Sequence, residues 1–147
     1  LYAHPPSPAQ RLSIVHGDYR IGNLLVAPDG SLRAVLDWEM AHVGDPLEDL
    51  AWSINRSWCF NRDDRVGGIA VRADAISIWE SASGLVAEPK ALLWWEIFSC
   101  VKGQAIWLGA ARTFSDGTNR DVMMAFAAWM LINSQERTML DLMGHLA

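Results

Sequence analysis

Apolar residues in this chain recur first in short runs and alternations and later at spacings of three and four, which divides it into a β-rich front and a helical remainder. Leu12 to Val15 is a short apolar run that predicts a strand. Leu24-Leu25-Val26-Ala27 and Ser31 to Leu36 flank Pro28-Asp29-Gly30. A preset φ at Pro, a side-chain acceptor at Asp and a positive φ at Gly predict a hairpin turn there. In the second arm Leu32, Ala34 and Leu36 alternate with Ser31, Arg33 and Val35, so one face is the more apolar. Beyond Asp37 the helical period takes over. Gly44-Asp45-Pro46 predicts a turn into a helix from about Pro46 to Trp58, with Asp45 as N-cap and Pro46 at the first helical position. Leu47, Leu50, Ala51 and Ile54 form its apolar stripe. A second helix is expected from about Ile69 to Ser83, stopped by Gly84. A third runs from Glu88 to roughly Thr113, with Trp94, Ile97, Val101, Ala105 and Leu108 on one face. Ser115-Asp116-Gly117 breaks it before a last helix from about Asn119 to Leu146. Leu1 to Arg11, rich in Pro and Ala, and Cys59 to Gly68, polar and charged, read as irregular segments.

Composition narrows the class. The 147 residues are half hydrophobic and one-fifth charged, which fits one globular domain with a real core. A net charge of -5 disfavours nucleic acid or an anionic membrane as partner. The longest apolar run, Val122 to Ile132, has 11 residues, against the ~20 that span a bilayer. No signal-peptide pattern opens the sequence. Cys59 and Cys100 show neither metal-ligand spacing nor a disulfide framework, so reduced thiols in a cytoplasmic protein are expected. The chain opens on Leu1 rather than Met, which suggests a piece of a longer polypeptide.

The chemistry concentrates in His16-Gly17-Asp18-Tyr19-Arg20-Ile21-Gly22-Asn23, followed by Leu36-Asp37-Trp38-Glu39. His-x-Asp-x-x-x-x-Asn is the spacing of a protein-kinase catalytic loop, and the later Asp stands where a kinase has its magnesium-binding Asp. Phosphoryl transfer needs a held nucleophile, metal ions bridging the phosphates and fixed positive charge. Asp18 is the candidate to take or orient the proton of a substrate hydroxyl. Asn23 and Asp37 offer hard oxygen ligands of the type Mg²⁺ prefers. Alone, Asp18 and Asn23 read equally well as turn residues; Asp37 and the Gly44-Asp45-Pro46 segment favour chemistry.

The runs HGDYRIGNLL, LDWE and GDPLEDLAW, within Ser13 to Trp58, resemble the aminoglycoside phosphotransferase-type family of kinase-like enzymes. More closely, they are similar to its branch related to the kinase-like domain fused to acyl-CoA dehydrogenases. The resemblance implies an α+β fold: a protein-kinase-like C-terminal lobe, mostly helical, with a small β-hairpin carrying the catalytic and metal-binding loops. It implies Asp18 as catalytic base, Asn23 and Asp37 holding Mg²⁺, ATP as co-substrate and a small-molecule hydroxyl acceptor. It further implies that Asp49 braces the loop backbone and that His16 packs beneath the loop. Arg20 reads as a phosphate contact or a surface ion pair, and Glu39 as a residue that approaches metal or substrate.

Residues 1–147 read as that lobe alone. No glycine-rich loop or strand Lys precedes His16; the lysines are Lys90 and Lys102, both on or beside the third helix. Little or no kinase activity is therefore expected of the isolated piece, and an exposed lobe-docking surface suggests a homodimer. A non-catalytic small-molecule binding fragment and a metal-dependent hydrolase are the alternatives. His4, His42 and His145 are scattered and read as non-functional, while Trp94, Trp95, Trp107 and Trp129 read as core. The distal carboxylates Glu80, Glu88, Glu96, Asp116 and Asp121 do not obviously converge, which disfavours an aminoglycoside acceptor.

Overall fold

A computed structural model describes residues 1, 3, 5–59 and 65–145. His4, residues 60–64 of the expected polar loop and the Leu146 end of the last helix lie outside the described residues.

The front of the chain forms antiparallel pairs. Strand β1 is Ser13–Val15. Strands β2 (Leu24–Val26) and β3 (Leu32–Val35) form the expected hairpin, with Leu24 opposite Val35 and an irregularity between Leu25 and Val26. Its turn works as the sequence reads: Gly30 N–H donates to the Ala27 carbonyl at 2.9 Å, and Asp29 accepts from Ser31. A strand that the pattern does not announce, β4 (His42–Gly44), pairs with β1 in the register Ser13 to Gly44 and Val15 to His42. Its three residues are too few to show an alternation. The pairing leaves Gly44 beside Ser13 at the start of β1, and the following helix runs back under the loop, where Asp49 reaches His16.

Helix α1 spans Leu47–Ser53, ending five residues before the expected Trp58. Asp45 still acts as a cap, since its carboxylate accepts from Leu47 N–H at 3.0 Å, while Pro46 stands at the N-cap position itself. The early stop has a cause in Asn55. Its amide oxygen accepts from Ser57 N–H at 2.9 Å and its amide nitrogen donates to Ser99 Oγ at 2.9 Å. A buried Asn that bonds nearby backbone competes with helix propagation. A 3₁₀ turn, Arg56–Trp58, follows instead.

Two short strands, β5 (Arg65–Val66) and β6 (Ala70–Val71), precede helix α2 (Arg72–Ser83), so Ile69 lies in a turn rather than in the helix. Gly84 closes α2 as expected, with φ +70°. Helix α3 is Pro89–Ser115 and α4 is Val122–Met143. Glu88 caps α3 by accepting from Lys90 and Ala91, and Asp121 caps α4 by accepting from Met123 and Met124.

The buried face of α3 differs from the expected stripe. Ala91, Leu92, Glu96, Ile97, Ser99, Cys100, Gly103 and Trp107 are buried, whereas Val101, Ala105 and Leu108 are exposed. Polar and small residues occupy the true inward face, so hydropathy alone selects the wrong one. Glu96 is matched there by a bidentate Arg72 at 2.7 and 2.9 Å. At Gly103 the missing side chain makes room for the Gln135 amide from α4.

Two core clusters result. Leu47, Leu50, Ala51 and Ile54 pack with Ala87, Ala91 and Leu92, and Trp52, Trp58, Trp107 and Ala128 form the second. Trp129 is not core: it is 69% exposed on α4 near Phe126. On the other side Leu12 and the paired Ile14 and Val43 are exposed, as are Leu25, Leu32 and Leu36, so the more apolar hairpin face is largely open to solvent. Among the described residues no helix is long and apolar enough to cross a membrane.

Cys100 is wholly buried against Asn55, and burial pushes its thiol up to about 11. Only the thiolate attacks disulfide reagents. Cys100 is therefore expected to stay unlabelled by a thiol reagent at pH 8 until denaturant is added, as peptide mass spectrometry would show.

Candidate active site

The loop between β1 and β2 is gripped from below. Asp49 on α1 accepts from His16 N–H at 2.7 Å through Oδ2 and from Gly17 N–H at 2.9 Å through Oδ1. His16 is buried; its Nε2 meets the Leu36 carbonyl at 2.8 Å, and its Nδ1 accepts from Asp18 N–H at 3.1 Å. Both contacts are satisfied by the tautomer with its proton on Nε2. The ring packs on Trp38, 4.6 Å between centroids. One imidazole thus ties the loop to the far arm of the hairpin.

Replacing Asp49 with Leu leaves two inward N–H groups without an acceptor. Each such loss costs about 1–3 kcal/mol, so urea denaturation is expected to show about 3 kcal/mol less stability. Asp49→Asn, which keeps one acceptor oxygen, is expected to lose roughly half as much.

Asp18 is surrounded by donors. Trp52 Nε1 donates to Oδ1 at 2.7 Å, Asn23 Nδ2 to Oδ2 at 2.7 Å, and Arg20 Nε lies 3.2 Å from both oxygens. Asn23 Nδ2 also reaches the Asp18 carbonyl at 2.9 Å. The 3₁₀ turn Ile21–Asn23 folds the loop back so that these two residues meet. With its nitrogen committed to Asp18, Asn23 turns its amide oxygen the other way. The Arg20 guanidinium lies over the Trp58 ring at 5.0 Å.

Asp37 joins the group through the backbone. Leu36 N–H donates to the Asn23 carbonyl at 2.8 Å, and the Leu36 carbonyl is the one His16 holds. Asp37 itself is left-handed, φ 67° and ψ 58°, and no other described non-glycine residue has positive φ. Its carboxylate is exposed and makes no hydrogen bond or ion pair among the described residues. Glu39 follows in the turn Trp38–Met40, exposed, and makes no hydrogen bond or ion pair among the described residues.

The donor set suits Mg²⁺. Asn23 offers an amide oxygen turned away from Asp18, and Asp37 offers an unpartnered carboxylate. Mg²⁺ takes one or two protein oxygens and leaves the rest of its shell to water and phosphate. Among the described residues no three His, Cys, Asp or Glu side chains converge on one metal position.

Four residues here are not among the site residues that the sequence singles out. Trp52 contacts Asp18 across 34 positions. Lys102 Nζ donates to the Gly17 carbonyl at 2.5 Å and to Glu48 Oε1 at 2.8 Å. Glu48, buried, also meets His42 Nε2 at 3.0 Å. Hydrogen bonding to the Met40 carbonyl, aided by Glu48, raises the His42 pKa against burial and the Lys102 charge. Protonated His42 therefore favours the folded chain fully below its unfolded pKa, and that contribution is lost as pH rises through the folded value. GDPLEDLAW contains Glu48 and Trp52 at helical spacing, but no pattern points from it to Lys102.

Beside the turn Arg56–Trp58 a cavity of about 550 Å³ opens, lined by Asn55, Val66, Arg72, Glu96, Thr138 and His145 among others. Burial raises the Glu96 pKa, opposed by Arg72. Gly67, next to Val66, lies against Ile21 of the loop, so the cavity and the loop are neighbours.

Comparison with known proteins gives the family. A model of the phosphotransferase enzyme family (APH) matches residues 1–85. Acyl-CoA dehydrogenase family member 10 of Mus musculus is 49% identical over 45 residues, 30% of this chain and 4% of that protein. Acyl-CoA dehydrogenase family member 11 is 45% identical over 42 residues in Gallus gallus and over 40 in Homo sapiens, 28% and 26% of this chain and 5% of each relative. The matched stretch is thus about a twentieth of the length of these relatives, and their names fit the branch expected from the sequence.

Proposed function

This chain belongs to the phosphotransferase enzyme family, and from that premise we propose that it carries the catalytic half of an ATP-dependent transferase. The γ-phosphate goes to a hydroxyl of a small molecule. The observation that carries the reading is the contact of Asp18 with Asn23 at 2.7 Å beside an unpartnered Asp37. Asp18 takes the acceptor proton as the oxygen attacks the γ-phosphorus, the bond from that phosphorus to the β-phosphate oxygen breaks and ADP leaves. Asn23 and Asp37 hold Mg²⁺, which when bound neutralises charge on the phosphates. Arg20 is partly exposed, and an exposed ion pair is weak, so it can leave Asp18 for the transferring phosphoryl group and free the base.

The acceptor enters by the cavity beside Trp58. Its lining mixes Val66, Ile54 and Leu142 with Arg56, Arg65 and Arg72, and Asp141 and Glu96 of the same wall pair with Arg56 and Arg72. Such a wall, with most of its charge paired, suits an uncharged alcohol better than a polyamine such as an aminoglycoside. Gripping ATP from above falls to an N-terminal nucleotide-binding lobe, without which this lobe binds the metal–nucleotide weakly and turns over little.

The test is transfer of labelled phosphate from ATP, with Mg²⁺, to a panel of sugars, amino alcohols and hydroxy acids. The chain alone is expected to give less than one turnover, and a polypeptide joining it to a nucleotide-binding lobe many. Multiple turnovers by the chain alone would overturn the half-site reading. No transfer by any two-lobed polypeptide would overturn the phosphotransferase reading itself.

A further inference from the structure

Gly17 is held on three sides. Its N–H donates to Asp49 on α1 at 2.9 Å and its carbonyl accepts from Lys102 on α3 at 2.5 Å. On the third side, with φ +82°, a Cβ would stand 2.6 Å from the Met40 carbonyl oxygen. Lys102 is 13% exposed and its charge is met by Glu48, 8% exposed. Glu48 takes His42 on its other oxygen, and His42 Nδ1 meets the Met40 carbonyl at 3.0 Å. The contacts close on the residue against which Gly17 leans.

Stability alone does not account for this ion pair. Apolar residues of similar volume are often as stable as a buried pair or more so, because desolvating two charges is costly. An apolar pair has no donor for the Gly17 carbonyl. That carbonyl belongs to the peptide whose N–H is Asp18's, and the N–H is bound to His16 Nδ1 at 3.1 Å. Lys102 and His16 thus fix both ends of one peptide plane. Under Lys102 Nζ, at 5.1 Å, lies the Trp52 ring, whose N–H is on Asp18. Asn23 takes its orientation from the carbonyl and carboxylate of Asp18.

We propose that Lys102 is a positioning residue for Asp18 and Asn23, aligning them only while α3 is docked against α1. The purpose of this alignment rests on the phosphotransferase reading; its geometry does not.

The test uses the full chain and the variants Lys102→Met and Lys102→Met/Glu48→Leu, followed by ¹H–¹⁵N NMR and urea denaturation. The Trp52 indole signal is identified by its loss in Trp52→Phe. Lys102→Met is expected to lower stability, because Glu48 is left buried with only His42. The double variant is expected to unfold at the wild-type midpoint. In both, the Trp52 indole and Asn23 side-chain signals move, and the affinity for Mn²⁺·ATP falls roughly tenfold or more, as for other residues that orient metal ligands. A double variant of wild-type stability whose Trp52 and Asn23 signals stay in place would overturn the proposal, leaving Lys102 a structural ion pair. Signals that move while even a polypeptide joining the wild-type chain to a nucleotide-binding lobe fails to bind Mn²⁺·ATP support the positioning role and overturn the phosphotransferase reading instead.

Discussion

Asp18→Asn, in a polypeptide that joins this chain to a nucleotide-binding lobe, is expected to lower kcat by about 10²–10⁴-fold with little change in KM for ATP. The carboxamide has nearly the shape of the carboxylate. It still accepts from Trp52 or Asn23, so the loop keeps its fold. What it lacks is a lone pair basic enough to take the hydroxyl proton as the phosphorus–oxygen bond forms. It also releases Arg20, now 3.2 Å from both Asp18 oxygens. That ion pair is partly exposed and contributes no more than about 1 kcal/mol. Steady-state kinetics and a urea curve on the same samples separate the two effects. Equal kcat in both proteins would exclude Asp18 as the base.

Asp37→Gly is expected to weaken metal–nucleotide binding about 100-fold or more, yet to leave the chain as stable as before or up to about 1 kcal/mol more so. A left-handed backbone costs an L-residue roughly 1–2 kcal/mol, and Asp37 holds φ 67° without a hydrogen bond from its side chain. Glycine adopts that conformation freely, although its greater freedom in the unfolded chain offsets part of the gain. Strain held at an exposed, unpartnered carboxylate fits the proposed ligand role of Asp37 better than a role in the fold. Isothermal titration with Mn²⁺·ATP beside thermal melting checks both halves. A variant that melts well below wild type would show instead that the Asp37 side chain supports the turn.

What the sequence makes legible here is local. Pro28-Asp29-Gly30 fixes its hairpin through contacts within three residues, and Asp18 meets Asn23 through a single 3₁₀ turn. Leu47, Leu50, Ala51 and Ile54 announce the buried stripe of α1 because their period matches the helix. The misses are nonlocal. Strand β4 exists because β1 is there to pair with it. Helix α1 stops early because Asn55 finds Ser99, 44 residues on. The inward face of α3 carries Glu96, Ser99 and Gly103, each explained only by a partner on another element. The candidate site divides in the same way. Its loop residues are readable from spacing, while Lys102 and Trp52 emerge only when helices from distant sequence converge under the loop.

The central claim is that Asn23 and Asp37 form a metal–nucleotide site beside Asp18. Titrating Mn²⁺·ATP into the ¹⁵N-labelled chain tests it most directly, because paramagnetic broadening reports which nuclei lie near the ion. The account predicts that the Asn23 side-chain amide and the backbone amides of Asp37 and Trp38 lose intensity first, and that Asp37→Gly abolishes the effect. Broadening that begins elsewhere, at the Asp116–Asp121 turn for example, with Asn23 and Asp37 untouched at saturation, would contradict it.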